Sequence, residues 1–257
     1  QELIPQMFEI IRNRGLDVAP LRAWVREVVD VKKVKKSDVE LFVSTVSLTD
    51  RKGLEIKIND LPEDEICDML LASAYHPSFR LEKLGGKLYT DGGFVDSLPL
   101  HALVVNGYKD IIAVRIPGMG WERRFRMPED VNVTTIHTNS DLGFVLNFDA
   151  EQSRRDMAIA YLDAQRVLYG LYGQKYYIDR TMTDRKALDW LLDHCAEEGE
   201  NLRTVCEKEL PRLARKLNAE DGDYYELMAA KLEQECANRD VDNMRVYTDK
   251  ELIALAG

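Results

Sequence analysis

A predicted helix separates a strand-ending turn from an apolar strand near the middle of this sequence, and that order restricts the folds open to the chain. The β-prone pair LY at 88–89 leads into DGG at 91–93, a helix is predicted from about 99 to 106, and the run IIAVRI, apolar except for Arg115, occupies 111–116. A helix placed directly before a buried strand is typical of α/β layers and not of an all-β sheet. We therefore expect a mixed α/β domain here.

The remaining periodicity divides the chain into a mixed part and a helical part. The β-rich run DVELFVSTVSLTD and the alternating run LEIKI, joined by Arg51-Lys52-Gly53, predict a β-hairpin. Another strand is predicted over 131–138. Helices are predicted over 2–14, 21–29, 64–74 and 150–171, and beyond Arg180 only helices are predicted, over 184–198, 201–217, 223–237 and 249–256.

Charge is distributed unevenly between these two parts. The formal charge of the chain is -10, and 18 acidic against 11 basic residues from Thr181 onward give the last segment a net -7, which leaves -3 for the first 180 residues. The expected organisation is an α/β domain over 1–180 and a helical extension over 181–257. So acidic a chain makes nucleic acid an unsuitable partner.

Cysteine usage indicates a reducing compartment. The four cysteines, at 67, 195, 206 and 236, lack the close paired spacing of a metal site or of a disulfide framework, so reduced thiols are expected. Neither a signal-peptide pattern nor a run of 18 apolar residues occurs. A cytoplasmic location is predicted, with export as an effector as the alternative.

The segment YTDGGFVDSLP at 89–99 supplies the candidate chemistry. A carboxylate at the end of a strand can be presented at the edge of an α/β sheet, where ligands usually bind. Gly92 and Gly93 would permit positive φ and would keep Cβ atoms away from an approaching group. The structural alternative is an Asx-type turn in which Asp91 only caps its own backbone.

Three segments in order resemble the second half of the catalytic domain of patatin-like phospholipases. They are ASAYHPSF at 72–79, LEKLGGKLYTDGGFVDSLPL at 81–100 and GYKDIIAVRI at 107–116. The resemblance covers roughly residues 35–180, and the ordered set is more specific than any one motif. It implies part of a three-layer α/β/α sandwich of patatin type, followed here by the all-helical appendage. Ser97 departs from the family pattern, which commonly has Asn there.

The resemblance implies a serine acyl hydrolase that cleaves esters of phospholipids or other acyl lipids without a metal or organic cofactor. Asp91 would be the general base of a Ser-Asp dyad, and the substrate-side residues would be Gly92, Gly93, Ser73 and His76. A serine hydroxyl becomes a good nucleophile only when a base within hydrogen-bond reach accepts its proton. None of the four histidines stands in a recognisable Ser-His-Asp context.

The family nucleophile lies in G-x-S-x-G, and no such motif occurs in these 257 residues. Ser44, Ser47, Ser73 and Ser78 lie nearest in sequence, but none has the flanking glycines of a nucleophile elbow. The sequence therefore predicts that the nucleophile lies upstream of Gln1. The alternatives are a non-catalytic lipid-binding or scaffolding protein of the same fold, and a chain cut between nucleophile and base whose halves stay associated.

Two basic runs and the acidic tail are the candidate interaction surfaces. VKKVKK at 31–36 is predicted to be a solvated loop, with anionic lipid as the alternative. RRFR at 123–126 is likewise predicted to be a solvated loop, and with Trp121 and Phe125 as anchors it is the preferred segment for transient membrane contact. The helical tail is a candidate lid, regulatory cap or homo-oligomer interface, and packing against the catalytic layer is the plainer interpretation.

Overall fold

The structure is a computed structural model that describes residues 15–116, 120–143, 149–195, 201–220 and 222–257. The helix predicted over 2–14 lies outside the described residues. The chain forms two compact units, the first within 1–113 and 117–133, the second within 114–116 and 134–257.

The first unit combines short helices with a small antiparallel sheet. Along the chain its elements are α1 (Ala19–Val28), α2 (Val31–Lys36), β1 (Phe42–Ser47), β2 (Lys52–Lys57), α3 (Glu63–Ser73), β3 (Tyr89–Asp91) and α4 (Leu100–Val105).

The predicted hairpin is confirmed and forms most of this sheet. The strands lie in the order β2-β1-β3, and β1 is antiparallel to both neighbours. Ser47 pairs with Lys52, so residues 48–51 make the loop, and Arg51 takes a positive φ of 55° within it. The turn predicted at Arg51-Lys52-Gly53 is therefore wrong, because Lys52 and Gly53 are already paired residues of β2. On the other side of β1, Thr45 pairs with Asp91. This register places the end of β3 beside the middle of β1.

Helix α3 packs against β1 and provides much of the core of the unit. Ile66, Leu71 and Ala72 of this helix are at most 1% exposed and cluster with Ile58 and Tyr75. The buried Thr45 hydroxyl lies 2.9 Å from both the Ala72 and Thr90 carbonyl oxygens, so its single proton serves the two acceptors in turn. The helix and the end of β3 are thereby tied to one residue of β1.

The prediction for VKKVKK is wrong, because this run forms helix α2. Asp30 caps the helix by accepting a hydrogen bond from the Lys33 N–H, at 3.1 Å. Val31 and Val34 pack against the core, while Lys35 Nζ donates to the carbonyls of Asn59 and Leu61. Two valines three residues apart place one helical face inward, and this spacing outweighs the charge of the run.

The apolar strand predicted over 111–116 forms as β4 (Asp110–Arg115), but it is not buried on both faces. Ile111 and Ala113 are buried, whereas Ile112 is 60% exposed. β4 pairs with β5 (Asn132–His137) in a two-stranded sheet and does not join the sheet of β3. Helix α4 therefore connects strands of two different sheets.

The second unit is mainly helical. Its further elements are α5 (Ala150–Tyr169), β6 (Tyr177–Asp179), α6 (Asp184–Cys195), α7 (Leu202–Thr204), a π-helical turn (Val205–Glu209), α8 (Leu210–Leu217), α9 (Tyr224–Asn238), β7 (Val246–Thr248) and α10 (Asp249–Ala256). The helix predicted over 201–217 is interrupted, because a π-helical turn precedes Pro211 in the first turn of α8. The short parallel pair of β6 with β7 was not predicted from the sequence.

Two buried carboxylates tie the elements of the second unit together. Glu233 Oε1 accepts hydrogen bonds from the backbone N–H groups of Gln174, Lys175 and Tyr176, each at 2.7 Å. Burial raises the pKa of Glu233, and these three bonds oppose that rise without cancelling it.

Asp249, at the start of α10, is fully buried and accepts hydrogen bonds from Thr181, Met182 and Tyr225 at 2.5–3.0 Å. Burial alone would raise the pKa of Asp249, but these hydrogen bonds outweigh it and lower the pKa below its ordinary value of 3.8. The ionised carboxylate therefore stabilises the folded unit.

The predicted mixed α/β class with a helical C-terminal part is confirmed, with β7 as an addition to the helical part. The four cysteines are free thiols, as expected. The division into units falls within β4 and β5, and Tyr176 and Ile178 pack in the same core as the C-terminal helices. The domain boundary at residue 180 stays a prediction.

Replacing Asp249 by Asn should destabilise the protein by about 2–4 kcal/mol at neutral pH, because an amide cannot accept from donors on both sides. Because the folded pKa is lowered, this stabilisation is fully present above about pH 3.8 and is lost as the pH falls through the folded value. Urea unfolding of both proteins from pH 7 to pH 2 measures the difference. The exposed Asp189→Asn is the control, and a difference independent of pH would contradict the assignment.

Candidate active site at the Asp-Gly-Gly turn

Asp91 ends β3 and caps the short 3-10 helix Gly92–Phe94 that follows it. Its Oδ1 accepts a hydrogen bond from the Gly93 N–H at 2.7 Å. Its own N–H donates to the Tyr75 carbonyl at 2.9 Å. The side chain is half-buried, and no other described residue donates a hydrogen bond to the carboxylate. The backbone of this residue is thus fixed on one side, while Oδ2 remains an open acceptor among the described residues.

Gly92 is required by the close approach of β1. A Cβ atom at this position would lie 2.3 Å from Ser44 Oγ and 2.4 Å from the Ser44 carbonyl carbon and oxygen. The expectation of positive φ at Gly92 and Gly93 is wrong, since neither has one. The glycine at 92 is therefore needed for space and not for an unusual backbone conformation.

The loop after α3 holds the other side of β3. Tyr75 is buried, its carbonyl accepts from the Asp91 N–H and from Thr90 Oγ1, and its hydroxyl donates to the Arg80 carbonyl at 2.5 Å. Burial is the main cause of a raised pKa of Tyr75, so the hydroxyl stays protonated and remains a donor. No local sequence pattern predicts that Tyr75 bonds both through its carbonyl to β3 and through its hydroxyl to the loop.

The structure places His76 near the turn and Ser73 at the end of α3. His76 Nδ1 accepts the Ser78 N–H at 3.2 Å and lies 2.8 Å from Ser78 Oγ. A neutral His76 therefore carries its proton on Nε2. The imidazole also lies 6.2 Å, centroid to centroid, from the Phe94 ring. The roles of Ser73, His76, Gly92 and Gly93 toward a substrate stay predictions.

None of the described serine hydroxyls is hydrogen-bonded to Asp91. Ser47 Oγ is paired with Asp50 Oδ2 at 2.8 Å, Ser78 Oγ with His76, and Ser44 Oγ lies against Gly92. The geometry within the described residues thus contains a presented carboxylate without a partner alcohol.

A cavity of about 360 Å³ lies beside the turn. Gly92 forms part of its wall, whereas the Asp91 side chain does not. Its polar and charged lining residues, apart from Thr45, are Ser44, Lys52, Glu55, Asp96 and Arg123.

Asp96 and the segment 120–123 complete this region, and the sequence gives no sign that the two meet at the turn. Asp96 is 5% exposed, and its Oδ1 accepts the N–H groups of Leu98 and Arg123, both at 3.3 Å. Trp121 donates its N–H to the Gly93 carbonyl at 3.1 Å and accepts the Ser97 N–H at 2.7 Å. A segment about 25 residues downstream thus packs against the turn, a contact that no local sequence pattern predicts.

Phe125, predicted to be a membrane anchor, packs against a neighbouring ring. Its ring lies 5.6 Å, centroid to centroid, from that of His101, in an edge-on arrangement. His101 Nδ1 in turn lies 3.1 Å from Glu55 Oε2. Trp121, by contrast, is 75% exposed.

A family model of patatin-like phospholipases matches residues 4–104 of the chain. The match includes β1, β2, α3, β3 and the Asp91 turn, so the resemblance drawn from the sequence is confirmed over this range. The family is one of lipid acyl hydrolases, and the match supports hydrolase chemistry on lipid esters as the class of activity. No curated protein matches the chain.

None of the helices in the described ranges combines the length and the apolar composition that a bilayer span requires.

Replacing Gly92 by Ala should cost about 2–3 kcal/mol of unfolding free energy, because the new Cβ would overlap the Ser44 backbone. Gly93→Ala is the matched control, since its Cβ would lie 3.2 Å from the adjustable Asp91 Oδ1, and it should cost under about 1 kcal/mol. Chemical denaturation measures both values. Equal stability of the Gly92→Ala and unchanged proteins would show that the close approach is not a constraint.

Proposed function

We propose that the protein is a patatin-like serine acyl hydrolase acting on phospholipids or related acyl lipids, and that Asp91 is its general base. The observation that carries the proposal is the presentation of Asp91 at the end of β3, with one oxygen held by Gly93 and the other left as an acceptor. The match of residues 4–104 to the patatin-like family supports the reaction class.

In this proposal Asp91 removes the proton of a serine hydroxyl as that serine attacks the ester carbonyl. The proton then passes to the leaving alcohol, and an acyl-enzyme remains. Asp91 next removes a proton from water, and the resulting attack releases the fatty acid and restores the serine. The Gly93 N–H fixes the carboxylate orientation through both steps. The serine is supplied by residues outside these 257.

A non-catalytic lipid-binding or scaffolding protein is the second candidate. It is favoured by one observation, that no serine hydroxyl in the described part of the chain is hydrogen-bonded to Asp91. On that hypothesis the Asp91 carboxylate serves only to cap the 3-10 helix.

Transient contact with a membrane surface is part of the proposal. Trp121 is bound through its backbone to Gly93 and Ser97, and its indole is largely exposed, while the exposed basic residues Arg124 and Arg126 follow three and five positions later in the chain. An exposed indole with nearby cations suits the interface of an anionic bilayer. A cytoplasmic location and self-association through the C-terminal helices remain predictions.

Asp91→Asn should lower the rate of ester hydrolysis by about 100-fold or more, because the amide cannot accept a proton. The amide oxygen can still accept the Gly93 N–H, so the fold is retained. The assay uses a short-chain chromogenic ester with the full-length gene product that contains these residues.

Asp141→Asn is the matched control, because Asp141 Oδ1 also accepts an N–H from a glycine two residues on, at 2.8 Å. Its rate should be unchanged. Equal rates for Asp91→Asn and the unchanged enzyme would remove Asp91 from the mechanism and leave the binding protein as the better candidate.

Trp121→Ala should weaken binding to vesicles containing anionic phospholipid by about tenfold, because a large apolar surface no longer enters the interface. Sedimentation with vesicles measures the bound fraction. Trp24, 58% exposed in the same unit, supplies the control variant Trp24→Ala. An equal loss in both variants would contradict a specific contact at residue 121.

A further inference from the structure

We propose that the cavity beside the Asp-Gly-Gly turn binds a zwitterionic group with a phosphate and a primary ammonium, as in an ethanolamine phospholipid head group. Its assignment to a lipid substrate rests on the function proposed above.

Asp96 is the first observation. It lines the cavity, it is 95% buried, and its Oδ2 is shielded from solvent and receives no hydrogen bond from the described residues. Its other oxygen is held by two backbone N–H groups at 3.3 Å. A buried carboxylate oxygen without a donor is costly and rare in native proteins. A ligand N–H group would supply the missing hydrogen bond.

The pairing of Arg123 with Glu55 is the second observation. Arg123 Nη1 lies 3.6 Å from Glu55 Oε1, and the two side chains are 51% and 28% exposed. A guanidinium carries five N–H donors and binds phosphate through two of them at once. One long ion pair leaves donors of Arg123 for a phosphate, and Lys52 lines the same cavity.

The cavity therefore presents two cations and two carboxylates to one small volume. At about 360 Å³ it lies at the low end of the range for small-molecule sites, about 300–1,000 Å³. Leu54 and Val95 are its larger apolar residues. A polar head group suits this lining, whereas an acyl chain does not.

The lining also distinguishes a primary ammonium from a quaternary one. Quaternary ammonium groups are bound in cages of aromatic rings, and no described residue that lines the cavity is aromatic. A primary ammonium has three N–H donors and needs acceptors. The lining residues Asp96, Glu55 and Ser44 carry such acceptors.

The position of the cavity agrees with the proposed chemistry. Gly92 follows Asp91 directly and forms part of the wall, so the cavity adjoins the base, but the Asp91 side chain is not part of the lining. In a phospholipid the glycerol carbons separate the phosphate from the ester carbonyls. A head-group site should therefore lie beside the base and not around it.

Soluble deacylated head groups test binding separately from catalysis. Isothermal titration of the chain with glycerophosphoethanolamine should show at least about tenfold tighter binding than with glycerophosphocholine or inorganic phosphate. Equal affinity for the ethanolamine and choline compounds would overturn the proposal, as would equal affinity for phosphate alone. Phosphatidylethanolamine added to phosphatidylcholine vesicles should compete with the soluble compound if the source is a lipid.

Variants locate the site within the cavity. Arg123→Ala keeps the backbone N–H that binds Asp96 and should weaken glycerophosphoethanolamine binding at least about tenfold. Arg80→Ala, an exposed arginine of the same unit outside the lining, should bind as the unchanged protein does. Equal affinities in the two variants would place any binding elsewhere.

Asp96→Asn should abolish the ethanolamine preference while the melting temperature stays equal or rises, because a buried charge is removed. If this variant does not fold, the comparison of Arg123→Ala with the second arginine variant tests the site. Loss of hydrolysis in Asp91→Asn together with absence of head-group binding would retain the hydrolase and reject this site.

Discussion

The antiparallel pairing of β1 with β3 is the constraint on which the candidate site depends. Thr45 lies opposite Asp91 in this pairing, and Ser44 lies so close to Gly92 that no side chain fits there. The same Thr45 hydroxyl bonds both the carbonyl at the end of α3 and the carbonyl before Asp91. One strand therefore sets the position of Asp91, of the turn that follows it and of the cavity wall. Without the glycine, the strand and the turn could not share this space.

Local signals in the sequence predicted much of this arrangement. The hairpin was predicted from alternation and a turn, and Asp91 from the order of three short segments, because each signal lies within a few residues of the feature. Asp96, Tyr75 and Arg123 were missed because their roles arise from contacts between distant segments. The backbone of Arg123 reaches Asp96 across 27 positions, and nothing in RRFR distinguishes a residue held in this way from a solvated one.

The same distinction accounts for the errors in secondary structure. Strand β7 has three residues and exists through its pairing with β6, nearly 70 positions earlier. The charge of VKKVKK favours a loop, but the run forms a helix because its two valines pack against the core. IIAVRI formed a strand as predicted, but an apolar run does not reveal whether both faces are covered. Composition identifies a strand, whereas burial depends on the rest of the fold.

The bonds that hold residues 120–123 to the turn are made mostly by backbone groups. Trp121 uses its N–H and its carbonyl, and Arg123 uses its N–H, so these attachments do not depend on which side chains the segment carries. Substitutions at 121, 123 and 124 can change the chemistry offered to a ligand or an interface while the geometry around Asp91 is kept. The chemistry of this surface can therefore change while the backbone around Asp91 is kept, and this short segment is a natural starting point for directed evolution of altered ligand binding.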